Sequence, residues 1–117
     1  MLRVWALLLL CTLTLEANPL QDAIDKAPSG AILKLADGVY EGNIAINKPI
    51  TIIGKEGGAV IDGKNQATVV TINSSFVTLK NLKIINSGER HENIDAGVVL
   101  NNASQCEISN CTIDNTL

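Results

Sequence analysis

The chain has 117 residues, 9 Lys and Arg against 12 Asp and Glu, a formal net charge of −3, and only 3% aromatic residues. That length bounds it to one domain, and nine glycines with few aromatics fit short strands and many turns better than a helical bundle. No basic stripe offers itself to a phosphate backbone, so nucleic acid is excluded as a partner.

Residues 1–17 read as an export signal rather than as fold. Arg3 precedes the apolar run Val4 to Leu13, which is too short to span a bilayer comfortably, and Ala17 stands where a signal peptidase would cut. Leu15 sits where a small residue is usual, which leaves an uncleaved anchor as the alternative. A lipid on Cys11 fits less well, because bulky Leu10 precedes it.

Residues 18–30 read as a short capping helix. Asn18 is a cap, Pro19 a first-turn proline, and Leu20, Ala23, Ile24 and Ala27 form an i, i+3, i+4, i+7 stripe that Pro28-Ser29-Gly30 ends. From residue 31 the period changes to two. Leu33 and Leu35 alternate with Lys34, Asp37-Gly38 turns the chain toward Tyr40, and Ile44 and Ile46 alternate with polar or small neighbours. Ile50 and Ile52 enter the core, Gly54 and Gly57-Gly58 mark a turn, and a strand over 59–62 leads to Gly63; the sequence leaves open which of Val60 and Ile61 faces inward.

The second half repeats itself. Lys80-Asn81-Leu82-Lys83-Ile84-Ile85-Asn86 returns as Ser109-Asn110-Cys111-Thr112-Ile113-Asp114-Asn115, 29 residues later, while Val70 and Ile72 return as Val98 and Leu100 after 28. Ile50 and Ile52 precede Val77 and Leu79 by 27, so two full coils follow an irregular lead-in. A repeat of this length, built from short alternating strands and Asn/Gly turns, is a solenoid in which each coil buries its apolar face against its neighbours. The expected fold is all-β: a right-handed, single-stranded parallel β-helix of the pectin-lyase-like kind, over residues 31–117, truncated at its C-terminus.

Asn81, Asn86, Asn110 and Asn115 read as structural corners of that stack. Asn tolerates left-handed backbone angles, and stacked amides can hydrogen-bond from coil to coil. Cys106 and Cys111 replace Val77 and Leu82 of the coil before, which reads as core thiols; a disulfide after export and a metal site stay open. The rhythm breaks at 87–95, where Glu89, Arg90, His91, Glu92 and Asp95 concentrate charge around the single histidine. This is the candidate functional loop, with a solvated loop as the plainer alternative, and His91 is a weak metal candidate because the spacing matches no metal motif. Asp62, Asp95 and Asp114 are read as occupying different repeat positions, so no carboxylate cluster is expected. The Asn-X-Ser/Thr triplets at Asn73, Asn102 and Asn110 are assigned no role.

Gly38-Val39-Tyr40-Glu41-Gly42, Lys48 to Gly54 with Ile61-Asp62-Gly63, and Asn86-Ser87-Gly88 followed by Asp95-Ala96-Gly97-Val98 resemble the N-terminal part of the NosD family. That resemblance implies a periplasmic β-helix protein of the carbohydrate-binding and sugar-hydrolase type, non-catalytic, assisting the maturation of nitrous-oxide reductase. It implies as partners an ABC-type membrane subunit and its ATPase, a copper-chaperone lipoprotein and the reductase itself, with copper handled by the full-length complex. No copper ligand transfers by residue. The competing expectations are a polysaccharide lyase, hydrolase or epimerase on the same fold, and a structural, adhesin-like solenoid.

Overall fold

Three-residue alternating runs separated by Asn or Gly corners bury too little by themselves, and they become stable only by stacking on equivalent runs. The computed structural model describes residues 18–89 and 95–116, so the expected signal segment 1–17 lies outside the described residues. One helix, α1 (Pro19–Lys26), is followed by β1 (Ile32–Lys34), β2 (Gly38–Glu41), β3 (Ile44–Ile46), β4 (Thr51–Ile53), β5 (Ala59–Asp62) and β6 (Val70–Ile72). Then come β7 (Thr78–Lys80), β8 (Leu82–Ile85), β9 (Val98–Leu100), β10 (Glu107–Ser109) and β11 (Thr112–Asp114). No helix among the described residues is long and apolar enough to cross a membrane.

Among the described residues all pairing is parallel and none is between consecutive strands. The first sheet runs β1-β4-β7-β10, the second β2-β5-β8-β11, and the third β3-β6-β9, so the chain visits three sheets in rotation. This arrangement is compatible with the expected parallel β-helix. Ile52 pairs with Leu79, Ile84 with Ile113 and Val70 with Val98, which are the 27, 29 and 28 residue offsets of the sequence repeat.

The lead-in is more regular than its sequence suggests. Leu33 pairs with Ile52, Tyr40 with Ile61 and Ile44 with Val70, so 31–46 make a complete coil of three strands. These pairs are 19, 21 and 26 residues apart, because the connections of the first coil are short, and no constant offset betrays them. The question of Val60 and Ile61 is settled as well: Ile61 is 0% exposed and stacks between Tyr40 and Ile84, while Val60 faces outward.

The core is a set of inward columns. Ile44, Ile46, Ile50, Ile52, Ile61, Val70, Ile72, Val77, Leu79 and Ile84 are all fully buried in one apolar cluster. Burying each such side chain contributes about 1.5–3 kcal/mol relative to leaving it in water. At one end α1 closes the stack with Leu20 and Ile24. Asn18 caps the helix, its side-chain oxygen accepting from the Leu20 and Gln21 amides at 3.1 and 3.2 Å. The Gln21 amide then stands in for a missing strand: its Nε2 donates to the Ala45 carbonyl at 3.0 Å, and its Oε1 accepts from the Ala45 amide at 2.8 Å. Lys48 Nζ donates to the Asp25 and Ala27 carbonyls at the helix C-terminus, both at 2.8 Å. Unpaired edge groups of β3 are thereby satisfied, the management that an edge strand needs. The opposite end has no such cover among the described residues, and Leu100, Ile108 and Ile113 are 44%, 37% and 45% exposed there.

Because Ile61 sits mid-column with neighbours on both sides, Ile61→Ala is expected to lower the unfolding free energy by about 2–5 kcal/mol. Val60→Ala, one residue away on the outward face, should cost under about 1 kcal/mol. Urea melts of the two variants give the comparison.

Candidate functional site

The corners are built first, because they decide where the loops emerge. Asn81 and Asn110, after strands of the first sheet, have φ of 58° and 51°, and Asn86 and Asn115, after the second, have 60° and 52°. These are left-handed values that Asn adopts at lower cost than most side chains. Asn81 Nδ2 donates to the Gly54 carbonyl at 3.1 Å, and Asn110 Nδ2 donates to Asn81 Oδ1 at 2.6 Å and to Glu56 at 3.1 Å. Asn115 Nδ2 donates to Asn86 Oδ1 at 2.6 Å, and Asn86 Nδ2 to Asp62 Oδ1 at 3.0 Å. A third ladder, which sequence reasoning missed, follows the third sheet: Asn73 donates to Asn47 at 2.8 Å and Asn101 to Asn73 at 3.1 Å. Its signal was present as asparagines 26 and 28 residues apart, directly after Ile46, Ile72 and Leu100.

Loops grow along one edge of the stack. The connection from second to third sheet is 42–43 in the first coil, 63–69 in the next and 86–97 in the third. Between the two longer loops lies a cleft of about 430 Å³ lined by Asn65, Gln66, Ala67, Gly88, Glu89 and Asp95. A hollow of about 70 Å³ beside it is bounded in part by Ser87, Asn115 and Thr116. Lys64, Asn65 and Ala67 all have positive φ, so this loop is held in a left-handed path. The Gly88 amide donates to the Ala67 carbonyl at 2.9 Å. A side chain at Gly88 would collide with the Asp95 carboxylate and come within 2.7 Å of the Ala67 nitrogen. Glycine there lets the two loops touch.

Two members of the sequence-predicted loop meet in this cleft. Glu89 is exposed at its rim, and Asp95 is 2% exposed at its base, against Gly88. Arg90, His91 and Glu92 lie outside the described residues. The described lining offers amide and carboxylate oxygens and amide nitrogens, a set suited to polar or cationic ligand groups. Among the described residues no group of three or more His, Cys, Asp or Glu is placed to hold a metal ion.

The carboxylates stand differently from the sequence expectation. Asp62 and Asp114 were expected at different repeat positions, yet both pair with Ile85, and Glu41 pairs with Asp62, so the three share one outward column. The spacing from Asp62 to Ile85 is 23 residues and from Ile85 to Asp114 is 29, and this inequality hid the column. Asp95 stands apart from it. Asp62 Oδ1 accepts from the Lys64 amide at 2.8 Å and from Asn86. The Lys64 amide first, and Asn86 second, hold its carboxyl below the ordinary 3.8 against the opposing effect of burial. That direction keeps Asp62 ionised and is opposite to what a general acid near neutrality requires.

Cys106 follows Val77 in its column and Cys111 follows Leu82. Both are free thiols packed against the core. The Cys111 thiol lies 3.3 Å from the Ser109 carbonyl, and the Cys106 thiol 3.4 Å from that of Ser74.

Among curated proteins, the chain is 30% identical over 99 residues to the probable ABC transporter binding protein NosD of Pseudomonas aeruginosa. The match takes in 85% of this chain and 23% of that protein, so the chain spans less than a quarter of the relative's length. No known family profile matches the chain. No solved structure matches it.

Two outcomes follow from this geometry. Asp62, whose folded pKa is depressed, contributes stability that is present above its ordinary value and lost as pH falls through the lower folded value. Asp62→Asn, which keeps the Asn86 contact but loses the charge, should therefore show a smaller fall in stability than the wild type between pH 5 and pH 2. Gly88→Ala should destabilise by about 1–3 kcal/mol, in the range of overpacking. Chemical denaturation as a function of pH measures both.

Proposed function

We propose that the chain forms the capped first coils of a right-handed parallel β-helix in an exported accessory protein of an ABC-type transport complex. Within that reading its task is non-catalytic: to help deliver copper during maturation of nitrous-oxide reductase in the periplasm. The observation that carries the proposal is the 30% identity with NosD over 99 residues. Support comes also from the Arg3 to Ala17 segment, which has the form of an export signal, and from the family-like segments Asn86-Ser87-Gly88 and Asp95 to Val98. The cleft beside Asp95 is the place where such an accessory protein would engage a partner, because loops projecting from a regular scaffold carry recognition.

A polysaccharide-acting enzyme on the same fold is the second reading, and the shared column of Glu41, Asp62 and Asp114 is what favours it. Asp62 and Asp114 are two strand spacings apart, about 9.6 Å. That is close to the upper end of the separation used by inverting glycosidases, roughly 6.5–9.5 Å.

Loss of the gene should leave nitrous-oxide reductase synthesised and exported but depleted in copper, read by metal analysis of the purified enzyme. Full copper loading without the gene would contradict the accessory role. Release of reducing ends or unsaturated products from a uronate polymer, abolished in Asp62→Asn, would establish the enzyme instead.

A further inference from the structure

The two loops that wall the cleft rise from neighbouring coils, and their roots meet at one carboxylate oxygen. Asp62 Oδ1 accepts from the Lys64 amide, where the loop 63–69 begins, at 2.8 Å. It also accepts from Asn86 Nδ2, where the loop 86–97 begins, at 3.0 Å. Further along, the loops stay joined: the Asn65 amide donates to the Asn86 carbonyl and the Gly88 amide to the Ala67 carbonyl, both at 2.9 Å. Asn65, Ala67 and Gly88 all line the cleft. The bonds to Asp62 are thus the first rung of a ladder that fixes how far apart the walls stand.

That rung is a carboxylate for a steric reason. At the corner after β8, Asn86 receives the side-chain amide of Asn115 from the next coil. The equivalent corner after β5 is Gly63, where a Cβ would come within 2.5 Å of the Asn86 carbonyl oxygen and 2.7 Å of Val69 Cγ2. No asparagine fits there, so the acceptor for Asn86 comes from the residue before. The same oxygen closes a turn over Gly63 onto Lys64, and Lys64 and Asn65 have φ of 57° and 61°. Two successive side chains in the left-handed region are costly, and an Asp side chain bonded two residues on is a device that holds such a turn. An ionised acceptor strengthens both bonds, and the depressed pKa of Asp62 agrees with that use.

We propose that Asp62 is a positioning residue of the cleft, setting the separation of its two walls as a hydrogen-bond acceptor and not as an acid, base or nucleophile. The proposal rests on the accessory reading for the use of the cleft. It also removes Asp62 from the carboxylates that an enzyme on this fold would use.

The test compares Asp62→Asn with Asp62→Ala in the full exported chain. Asn offers an amide oxygen to both donors, and Ala offers none. Amide hydrogen exchange at Asn65 and Gly88 should speed up about tenfold in Asp62→Ala and stay within about threefold of the wild type in Asp62→Asn. The Thr78 amide, bonded to the Ile50 carbonyl in the first sheet, should exchange at the wild-type rate in both. Copper content of nitrous-oxide reductase, measured in strains with each variant, should fall with Asp62→Ala and return with Asp62→Asn. Unchanged exchange in Asp62→Ala, or acceleration that extends to Thr78, would overturn the positioning role. So would copper loading lost in Asp62→Asn while its loops stay protected, an outcome that makes the carboxylate itself the working group. Full copper loading in a strain without the gene would instead overturn the accessory reading, and the exchange result would still decide whether Asp62 holds the walls.

Discussion

Everything in this chain depends on in-register parallel stacking of inward apolar columns. A three-residue strand such as Thr51–Ile53 makes few hydrogen bonds by itself, and its one core residue, Ile52, has no layer of its own to pack into. Placed between Leu33 and Leu79, it gains neighbours above and below and a sheet on both edges. The stack is thus a one-dimensional assembly in which stability is a property of neighbouring pairs. Its two requirements are a corner every few residues and an end that does not remain open.

The corners meet the first requirement in two ways. In the later coils Asn81, Asn86, Asn110 and Asn115 turn the backbone through left-handed angles, and each donates a side-chain amide hydrogen bond to the coil before. In the earlier coils glycine takes the equivalent place: Gly54 accepts from Asn81 through its carbonyl, and Gly63 follows Asp62, which accepts from Asn86. The second requirement is met at one end by α1, where Gln21 imitates a strand edge and Leu20 and Ile24 fill the opening. Regularity of this kind leaves the loops between second and third sheets free to lengthen, and it is there that Gly88, Asp95 and the cleft arise.

Much of the architecture was legible in the sequence because Asn corners and alternating Ile, Leu and Val recur at nearly constant spacing. Where the spacing was not constant, legibility failed. The first coil reads as an irregular lead-in because its connections are short, and the shared position of Asp62 and Asp114 is concealed by a 23-residue step followed by a 29-residue one. The third ladder is hidden for the same reason: Asn47, Asn73 and Asn101 lie 26 and 28 residues apart, steps unequal to each other and to the 29 of the other asparagine corners. Of the candidate loop, only Glu89 and Asp95 are brought to the cleft among the described residues, and no pattern in the sequence joins them to Asn65 and Gln66, which come from the coil before. Such contacts follow from the register and not from local composition.

The most direct test of the account is a set of interstrand backbone nuclear Overhauser effects on the isotopically labelled protein. Parallel stacking in this register predicts amide-to-α-proton contacts around the pairs Ile52 with Leu79, Ile61 with Ile84, and Leu79 with Ile108. Contacts linking consecutive strands instead, such as β4 with β5 or β7 with β8 in antiparallel hairpins, would contradict it.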